Sequence, residues 1–259
     1  YKRQEFGSHH QTMVRTQGHF VIEPMGSSFN RPLNWFGNWG SVVPESIRFG
    51  KESGVDTTSA DITINTPMVA RKSVEIYSRN SYIYNNIRTL DAGNGTTGGV
   101  RLKSEQDIYL DSDDNIRTNG SPIVFWSDSN GDNDGAIQLH HNNEVCSGFT
   151  ASCQTTGGAD IIMAGGTTFE TRSNSYDLNR TMPTGFASGW GASTYFNYTG
   201  SGFGGNGRTS GVYLGHGYNG YSVKVRSAGG DIRMYGKSTN NSGYSAGFGS
   251  GALAMGVFS

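Results

Sequence analysis

Apolar and polar residues alternate with a period of two in short segments of this chain. The segment 100–110 shows the pattern most clearly, with apolar residues on one face and basic and tyrosine residues on the other. The first face holds Val100, Leu102, Ile108 and Leu110, and the second holds Arg101, Lys103 and Tyr109. Such alternation is typical of strands with one buried face, and no window of twelve residues shows a helical period. The pattern predicts a chain made almost entirely of strands and turns.

A strand–turn–strand unit recurs along the chain. Its clear copies lie at 100–110 and 223–234, a looser copy lies at 74–84, and its second half alone lies at 61–64 and 160–163. Each clear copy reads apolar–basic–apolar–basic–Ser, then a short polar turn, then Asp-Ile-x-apolar. Ser and Asp side chains suit such a turn because they satisfy local backbone donors. Recurrence of one small unit predicts a repetitive β architecture.

The copies are irregularly spaced along the chain, and the apolar faces of the predicted strands form only thin strips. Both features favour a core that is shared between chains. Hydrophobic residues make up 34% of the 259 residues, whereas Gly (39), Ser (30), Thr (22) and Asn (21) are abundant. Leu occurs 8 times against 28 for Ile and Val together, which favours strands over helices. Three chains that share one core would bury thin strips and leave no exposed sheet edge. We therefore expect an all-β, elongated, intertwined homotrimeric fibre with β-hairpin, β-prism or triple β-helix-like repeats.

Composition also predicts how the chain is organised. Aromatic residues reach 12% and the net charge is −1, whereas disordered chains are poor in aromatics and highly charged. We expect an irregular N-terminal β segment over residues 1–60, a repeat-rich fibrous region over 61–145 and a C-terminal tip over 146–259. The small net charge argues against a nucleic acid or a membrane surface as partner. No run of 18 apolar residues is present, so no membrane insertion is expected.

The best candidate for binding is the Gly- and aromatic-rich segment 185–221. Trp190, Tyr195, Tyr198 and Tyr218 offer flat faces that can stack on sugar rings, and neighbouring polar side chains offer hydrogen bonds to hydroxyl groups. The competing interpretation is that these aromatics fill a core between interleaved chains.

The segment Asp128–Asp134 resembles a calcium-binding loop, with oxygen ligands at alternate positions. It lacks the glycine expected at its sixth position, where Asn133 stands, and the glutamate expected at its twelfth, where Leu139 stands. A solvated turn between strands is the favoured interpretation, and no metal site is predicted.

Three aspartates and two histidines are candidates for catalytic or metal-binding residues. Asp111, Asp113 and Asp114 have the chemistry of glycosidase acid/base pairs, but Asp is expected in turns anyway. Adjacent residues on a strand point to opposite faces, so His140 and His141 would need three chains to build a metal site. Hydrogen-bonded surface histidines are favoured. With no nucleophile motif present, we expect no catalytic residue, no cofactor and no enzymatic activity.

Cys146 and Cys153 are the two cysteines of the chain. A secreted disulfide framework would use more cysteines, so two free buried thiols are expected, with a disulfide between them as the alternative.

The segments 100–110 and 223–234 resemble units of trimeric bacteriophage tail fibres and tailspike stems. The shared feature is the Ser-x-x-(Gly)-Asp-Ile-x-Leu/Met turn. Fibres that carry a cleavable C-terminal intramolecular chaperone are cut directly after a serine, and this chain stops at Ser259. Tyr1 is not an initiator Met, so a fragment of a longer protein is expected. The closest resemblance is to the C-terminal region of L-shaped tail fibres from siphophages that infect enterobacteria.

This resemblance implies a receptor-binding tip that attaches a virion to its host. Such fibres bind the lipopolysaccharide O-antigen, polymannose in the best-known case. The implied partners are the host cell-surface polysaccharide, two further copies of the chain and the upstream fibre shaft, after synthesis in the host cytoplasm. No binding residue can be carried over from the family. The alternatives are a tailspike depolymerase that cuts the polysaccharide, although the chain is short for such a β-helix, and a purely structural shaft.

Overall fold

The computed structural model describes residues 15–39, 42–52, 57–91, 98–148, 153, 156–171, 181–188, 211–215, 222–237, 248–250 and 255–258. Every regular element in these ranges is a β-strand, and the strands form four sheets. None of the described residues forms a helix of the length and apolarity that a membrane crossing requires.

Three large sheets contain almost all of the strands. Sheet 1 contains β1 (His19–Ile22), β3 (Ser46–Phe49), β6 (Ser73–Ser78), β9 (Gly99–Ser104), β12 (Ile123–Ser127), β15 (Ile161–Thr171), β16 (Thr181–Gly185) and β20 (Ile232–Met234). Sheet 2 contains β2 (Leu33–Trp35), β4 (Ile62–Ile64), β7 (Ser81–Ile83), β10 (Ile108–Leu110), β13 (Ile137–Leu139), β18 (Val212–Leu214) and β22 (Phe248–Ser250). Sheet 3 contains β5 (Met68–Ala70), β8 (Ile87–Thr89), β11 (Asn115–Arg117), β14 (Glu144–Cys146), β19 (Val223–Arg226) and β23 (Met255–Phe258). The small sheet 4 pairs β17 (Ala187–Ser188) with β21 (Gly236–Lys237).

From β4 to β15 the chain visits sheets 2, 3 and 1 in turn, so each coil of this part places one strand in each of the three sheets. Neighbouring strands within a sheet are parallel, and the strand pair β15–β16 is antiparallel. We call the turns from sheet 1 to sheet 2 the first corner, those from sheet 2 to sheet 3 the second corner, and those from sheet 3 to sheet 1 the third corner. Side chains at one corner therefore stack on those of the next coil.

The core lies inside the coils, where the inward faces of the three sheets meet. In sheet 1 the inward positions Val74, Val100, Ile123 and Ile161 lie opposite one another on successive strands. All four belong to one buried cluster with the inward residues of sheets 2 and 3. Full burial of such a side chain stabilises the fold by about 1.5–3 kcal/mol. The inward face predicted for segment 100–110 is confirmed, since its four apolar residues all lie in this cluster.

The predicted elongated, intertwined fibre is wrong. The described strands form a compact arrangement of mostly parallel sheets in which successive coils of one chain stack on each other around a common core. Thin apolar strips suffice because each coil brings three of them together, one from each sheet. The predicted β-hairpin, β-prism or triple β-helix-like repeats are therefore replaced by coils of a single chain.

The irregular spacing of the repeat has a simple structural cause. The copies at 74–84 and 100–110 both pass from sheet 1 to sheet 2, and they lie in register as β6–β7 and β9–β10. The copy at 223–234 instead passes from sheet 3 to sheet 1, as β19–β20. The unit thus marks a corner of the coil rather than a whole coil. The distance between copies along the sequence is therefore not the length of a coil. The irregular spacing, which favoured a core shared between chains, is compatible with a single coiled chain.

The outward face of sheet 1 is also covered in the described structure. Lys103 is fully buried, with its Nζ 4.4 Å from the centre of the Trp126 ring and 3.3 Å from Glu52 Oε1. Met182 of β16 packs against Val124 and neighbouring apolar residues in a small second cluster. The polar face of these strands is thus more enclosed than the half-buried pattern predicts.

Candidate functional site

The four predicted sugar-stacking residues, Trp190, Tyr195, Tyr198 and Tyr218, lie outside the described residues. Their assignment stays a prediction. Within the described residues, aromatic, imidazole and carboxyl groups meet at the second corner.

Stacked turns of similar length build the second corner. The backbone N–H of Asn115 donates to Asn86 Oδ1 at 2.8 Å, and the N–H of Glu144 donates to Asn115 Oδ1 at 2.9 Å. Asp113 and Asn142 are 29 residues apart and adopt the same left-handed backbone, with φ of 66° and 60°. Asn and Asp tolerate this conformation better than other residues with a side chain. The hydrogen bonds from Asn115 to Asn86 and from Glu144 to Asn115 hold the coils together and align their turns.

An aromatic row crosses three coils at this corner. The ring centres of Tyr84 and Tyr109 are 5.9 Å apart, and those of Tyr109 and His140 are 5.0 Å apart. Tyr109 is almost buried, whereas Tyr84 and His140 are half-buried. The row is therefore partly open to solvent at both ends, beside a buried central ring.

Ser112 joins the two histidines. Its Oγ lies 3.3 Å from His140 Nδ1 and 3.1 Å from His141 Nδ1, and the two rings are 5.9 Å apart. A hydroxyl group can accept one of these hydrogen bonds and donate the other. The expectation that the two rings point to opposite faces is wrong, because β13 ends at Leu139 and both histidines lie in the turn.

Carboxyl groups line the same corner. The Tyr109 hydroxyl donates to Asp111 Oδ1 at 2.9 Å, and Asn142 Nδ2 donates to Asp113 Oδ1 at 2.8 Å. Burial raises the pKa of Asp114 to about 6, and the nearby carboxylates of Asp111 and Asp113 add to the shift. Burial and the charge of Asp111 also raise the pKa of Tyr109. Near pH 6 the corner thus combines a carboxyl group that can donate a proton with others that accept hydrogen bonds.

The segment Asp128–Asp134 forms a turn at the first corner. Asp128 Oδ1 accepts from the Asn133 N–H at 3.0 Å, and its Oδ2 accepts from the Ser188 hydroxyl at 2.6 Å. Asp132 Oδ1 likewise accepts from the N–H of Asp134. The carboxylates satisfy backbone and side-chain donors, as expected for an Asp/Asn turn. Across the described part of the chain, no group of three or more His, Cys, Asp or Glu side chains is arranged to hold a metal ion.

The expectation of two free thiols is wrong, because Cys146 and Cys153 form a disulfide. Cys146 ends β14 with its side chain outward, and its Cα lies 6.0 Å from that of Cys153. That distance falls within the usual range for a disulfide. Both cysteines pack against Ala228 on the outside of the coils.

The second corner can hold a polyhydroxylated ligand by chemistry that several of its residues share. Aromatic rings pack against the apolar faces of sugar rings, while carboxyl, amide and imidazole groups bond to hydroxyl groups. The residue pattern points to Asp111, Asp114 and His140 as candidates but not to Tyr84 or Ser112. A usable signal was present, since the Asp-rich run and the His-His-Asn-Asn run are 29 residues apart.

The chain matches no protein-family model, and comparison with curated proteins and with solved structures gives no significant match. The resemblance to phage tail fibres therefore stays a prediction from the repeat motifs and the composition.

Proposed function

We propose that this chain binds a cell-surface polysaccharide and serves as a host-attachment segment of a phage tail protein. One observation supports the binding role above the others, namely the aromatic row of Tyr84, Tyr109 and His140 with polar side chains along its edge. The rings are held in place by stacking on neighbouring coils, so little side-chain entropy is lost when a sugar packs against them.

Attachment would depend on several weak sites acting together. A single shallow corner binds a sugar weakly, whereas linked copies raise the overall avidity by a factor of about 10² to 10⁴. Association with two further copies and with an upstream shaft are parts of the same proposal. Location in the virion follows from it.

The test compares the ends of the aromatic row with an exposed aromatic residue elsewhere. We expect Tyr84→Ala and His140→Ala each to weaken binding to O-antigen polysaccharides, polymannose included, by about 2- to 10-fold. Phe169→Ala is the matched control, because Phe169 is 46% exposed and lies on β15 of sheet 1 rather than at the second corner. Binding is measured by biolayer interferometry over a panel of immobilised polysaccharides.

A second set of variants separates the two candidate surfaces. Alanine substitution of the four predicted stacking residues, Trp190, Tyr195, Tyr198 and Tyr218, tests whether recognition lies there instead. If only these variants lose binding, the polysaccharide binds to segment 185–221 and not to the second corner. Unchanged binding in every variant, or no binding to any polysaccharide by the natural chain, would overturn the proposal.

Cleavage of the same polysaccharide is a second candidate function. It is favoured by the raised pKa of Asp114 beside Asp111, because glycoside hydrolysis uses one protonated and one ionised carboxyl group. A reducing-end assay on O-antigen at pH 5 to 6 decides between binding and cleavage. Release of reducing ends that disappears in Asp114→Asn would establish hydrolysis, and no release would leave a binding protein.

A further inference from the structure

The outward face of sheet 3 carries a row of basic side chains. Arg88 of β8 lies opposite Val69 and next to Arg117 of β11 in the strand register. Lys224 and Arg226 of β19 lie opposite Glu144 and Cys146 of β14. We call Arg88, Arg117, Lys224 and Arg226 the basic stripe. Alternation along each strand points these side chains outward, since their neighbours Ile87, Ile116 and Val225 lie in the core.

Positive charge on this face exceeds negative charge by three. Glu144 is the one carboxylate among the outward residues of β5, β8, β11, β14 and β19. It forms an ion pair with Arg117 and another with Arg226, the latter at 3.4 Å from Nη1 to Oε1. The whole chain has a net charge of −1, so this excess is a local concentration of charge.

All four cations of the stripe reach solvent, to different extents. Arg88 and Lys224 are exposed, and the side chains of Arg117 and Arg226 are each 30% exposed. Adjacent strands are about 4.8 Å apart, so the stripe from β8 to β19 extends for about 14 Å perpendicular to the strands. Like charges on neighbouring strands repel one another, and an anionic partner would relieve that repulsion.

The disulfide occupies the position in the stripe that lacks a cation. Cys146 lies between Arg117 and Arg226 in the register, and Cys153 Sγ lies 3.5 Å from the backbone oxygen of Arg226. The bridge packs beside Ala228. The strand register therefore sets the intervals between the charges along this face.

We propose that the outward face of sheet 3 binds an acidic polysaccharide, whose chain lies across successive strands along the basic stripe. This inference rests on the proposed function and names the charge class of the polysaccharide. Arg88, Arg117 and Arg226 align across the strands, and Lys224 lies two residues from Arg226 along β19. Such a narrow set of cations suits a linear polymer with separated negative groups. A duplex nucleic acid requires a wider basic surface, and the near-neutral net charge of the chain disfavours it.

The experiment measures binding of the natural chain to polygalacturonate, to neutral dextran and to duplex DNA of mixed sequence. We expect polygalacturonate to bind in preference to the other two. We also expect this binding to weaken as NaCl rises from about 50 to about 300 mM, because salt screens exposed charges.

Charge-neutralising variants locate the binding surface. The double variant Arg88→Gln/Lys224→Gln should weaken polygalacturonate binding by about 3- to 10-fold, since exposed charge contacts contribute modestly. The control Arg31→Gln/Lys51→Gln removes the same charge from exposed residues outside sheet 3 and should leave affinity unchanged. All four side chains are exposed, and thermal melting confirms that both variants fold.

The outcomes separate this inference from the proposed function. Equal loss of affinity in both double variants, or preference for DNA, would overturn the role of the stripe. If polygalacturonate fails to bind while a neutral O-antigen binds, the inference fails and the proposed function stands. If no polysaccharide binds at all, both fail together.

Discussion

The first and second corners of the coil contain the same residue types in different environments. Three serines at the first corner are buried, and the serine at the second is partly exposed. At the first corner the hydroxyl groups of Ser78, Ser81 and Ser104 are fully buried and bond to one another at 2.7 to 3.2 Å. At the second corner the single hydroxyl of Ser112 is half-buried and bonds to two imidazoles. Buried polar groups that satisfy one another stabilise the stacking of coils. Half-exposed titratable groups remain able to bind a ligand.

Carboxyl groups show the same contrast. Asp107 at the first corner is buried, and its Oδ1 accepts from the Ala136 N–H at 2.8 Å, while its own N–H donates to Asn80 Oδ1. Asp114 at the second corner is also buried, but its pKa is raised by burial and by neighbouring carboxylates. One group is matched with donors, whereas the other is held at a cost to folding at neutral pH. The second corner is therefore the better candidate for function.

The largest change in stability is expected when the Asp107 carboxylate at the first corner is removed. Asp107→Ala should destabilise the fold by about 2–3 kcal/mol, because the buried N–H of Ala136 loses its acceptor. Asp107→Asn retains an acceptor oxygen and should cost less. Asp113→Asn, an exposed position at the second corner, should change stability by no more than about 0.5 kcal/mol. Urea denaturation measures all three, and a larger effect at Asp113 than at Asp107 would reverse the comparison.

A smaller difference is expected between the serines. Ser81→Ala removes the hydroxyl that bonds to both Ser78 and Ser104, and it should destabilise the fold by about 1–2 kcal/mol. Ser112→Ala should cost a few tenths of a kcal/mol, since water replaces its half-exposed bonds. Equal effects of the two substitutions, measured by urea denaturation, would show that both corners are structural.

The smallest expected effect depends on pH. The pKa of Asp114 is higher in the folded state than in the unfolded chain, so folding retains a proton between about pH 4 and 6. The stability contributed by the protonated form is present below pH 4 and is lost as pH rises through 6. Asp114→Asn should therefore stabilise the fold by about 1 kcal/mol at pH 7, after allowance for solvent screening, and should have little effect at pH 4.

Thermal melting of both proteins from pH 4 to 8 measures this difference. Equal stabilisation at pH 4 and pH 7 would mean that the charge of Asp114 is not responsible.

Several features of the fold followed from the residue pattern, whereas others did not. The alternation in segment 100–110 identified its inward face correctly, because burial of apolar side chains on one face of a strand is a local rule. The partner of that face was not identified, because a strand pattern states which face is buried and leaves open what covers it. The corner-marking role of the repeat was likewise hidden, since the unit occurs at more than one corner of the coil.

Residue order alone settled that the chain forms short strands joined by polar turns, and which side chains of segment 100–110 point inward. Tertiary structure decided that the strands stack within one chain, that Cys146 pairs with Cys153, and that Ser112 meets both histidines. For the contacts at the second corner, the physical reason is the distance between their residues along the chain. Propensity and alternation act over a few residues, whereas the contacts at the second corner join residues a full coil apart, and the stacking of whole coils creates them.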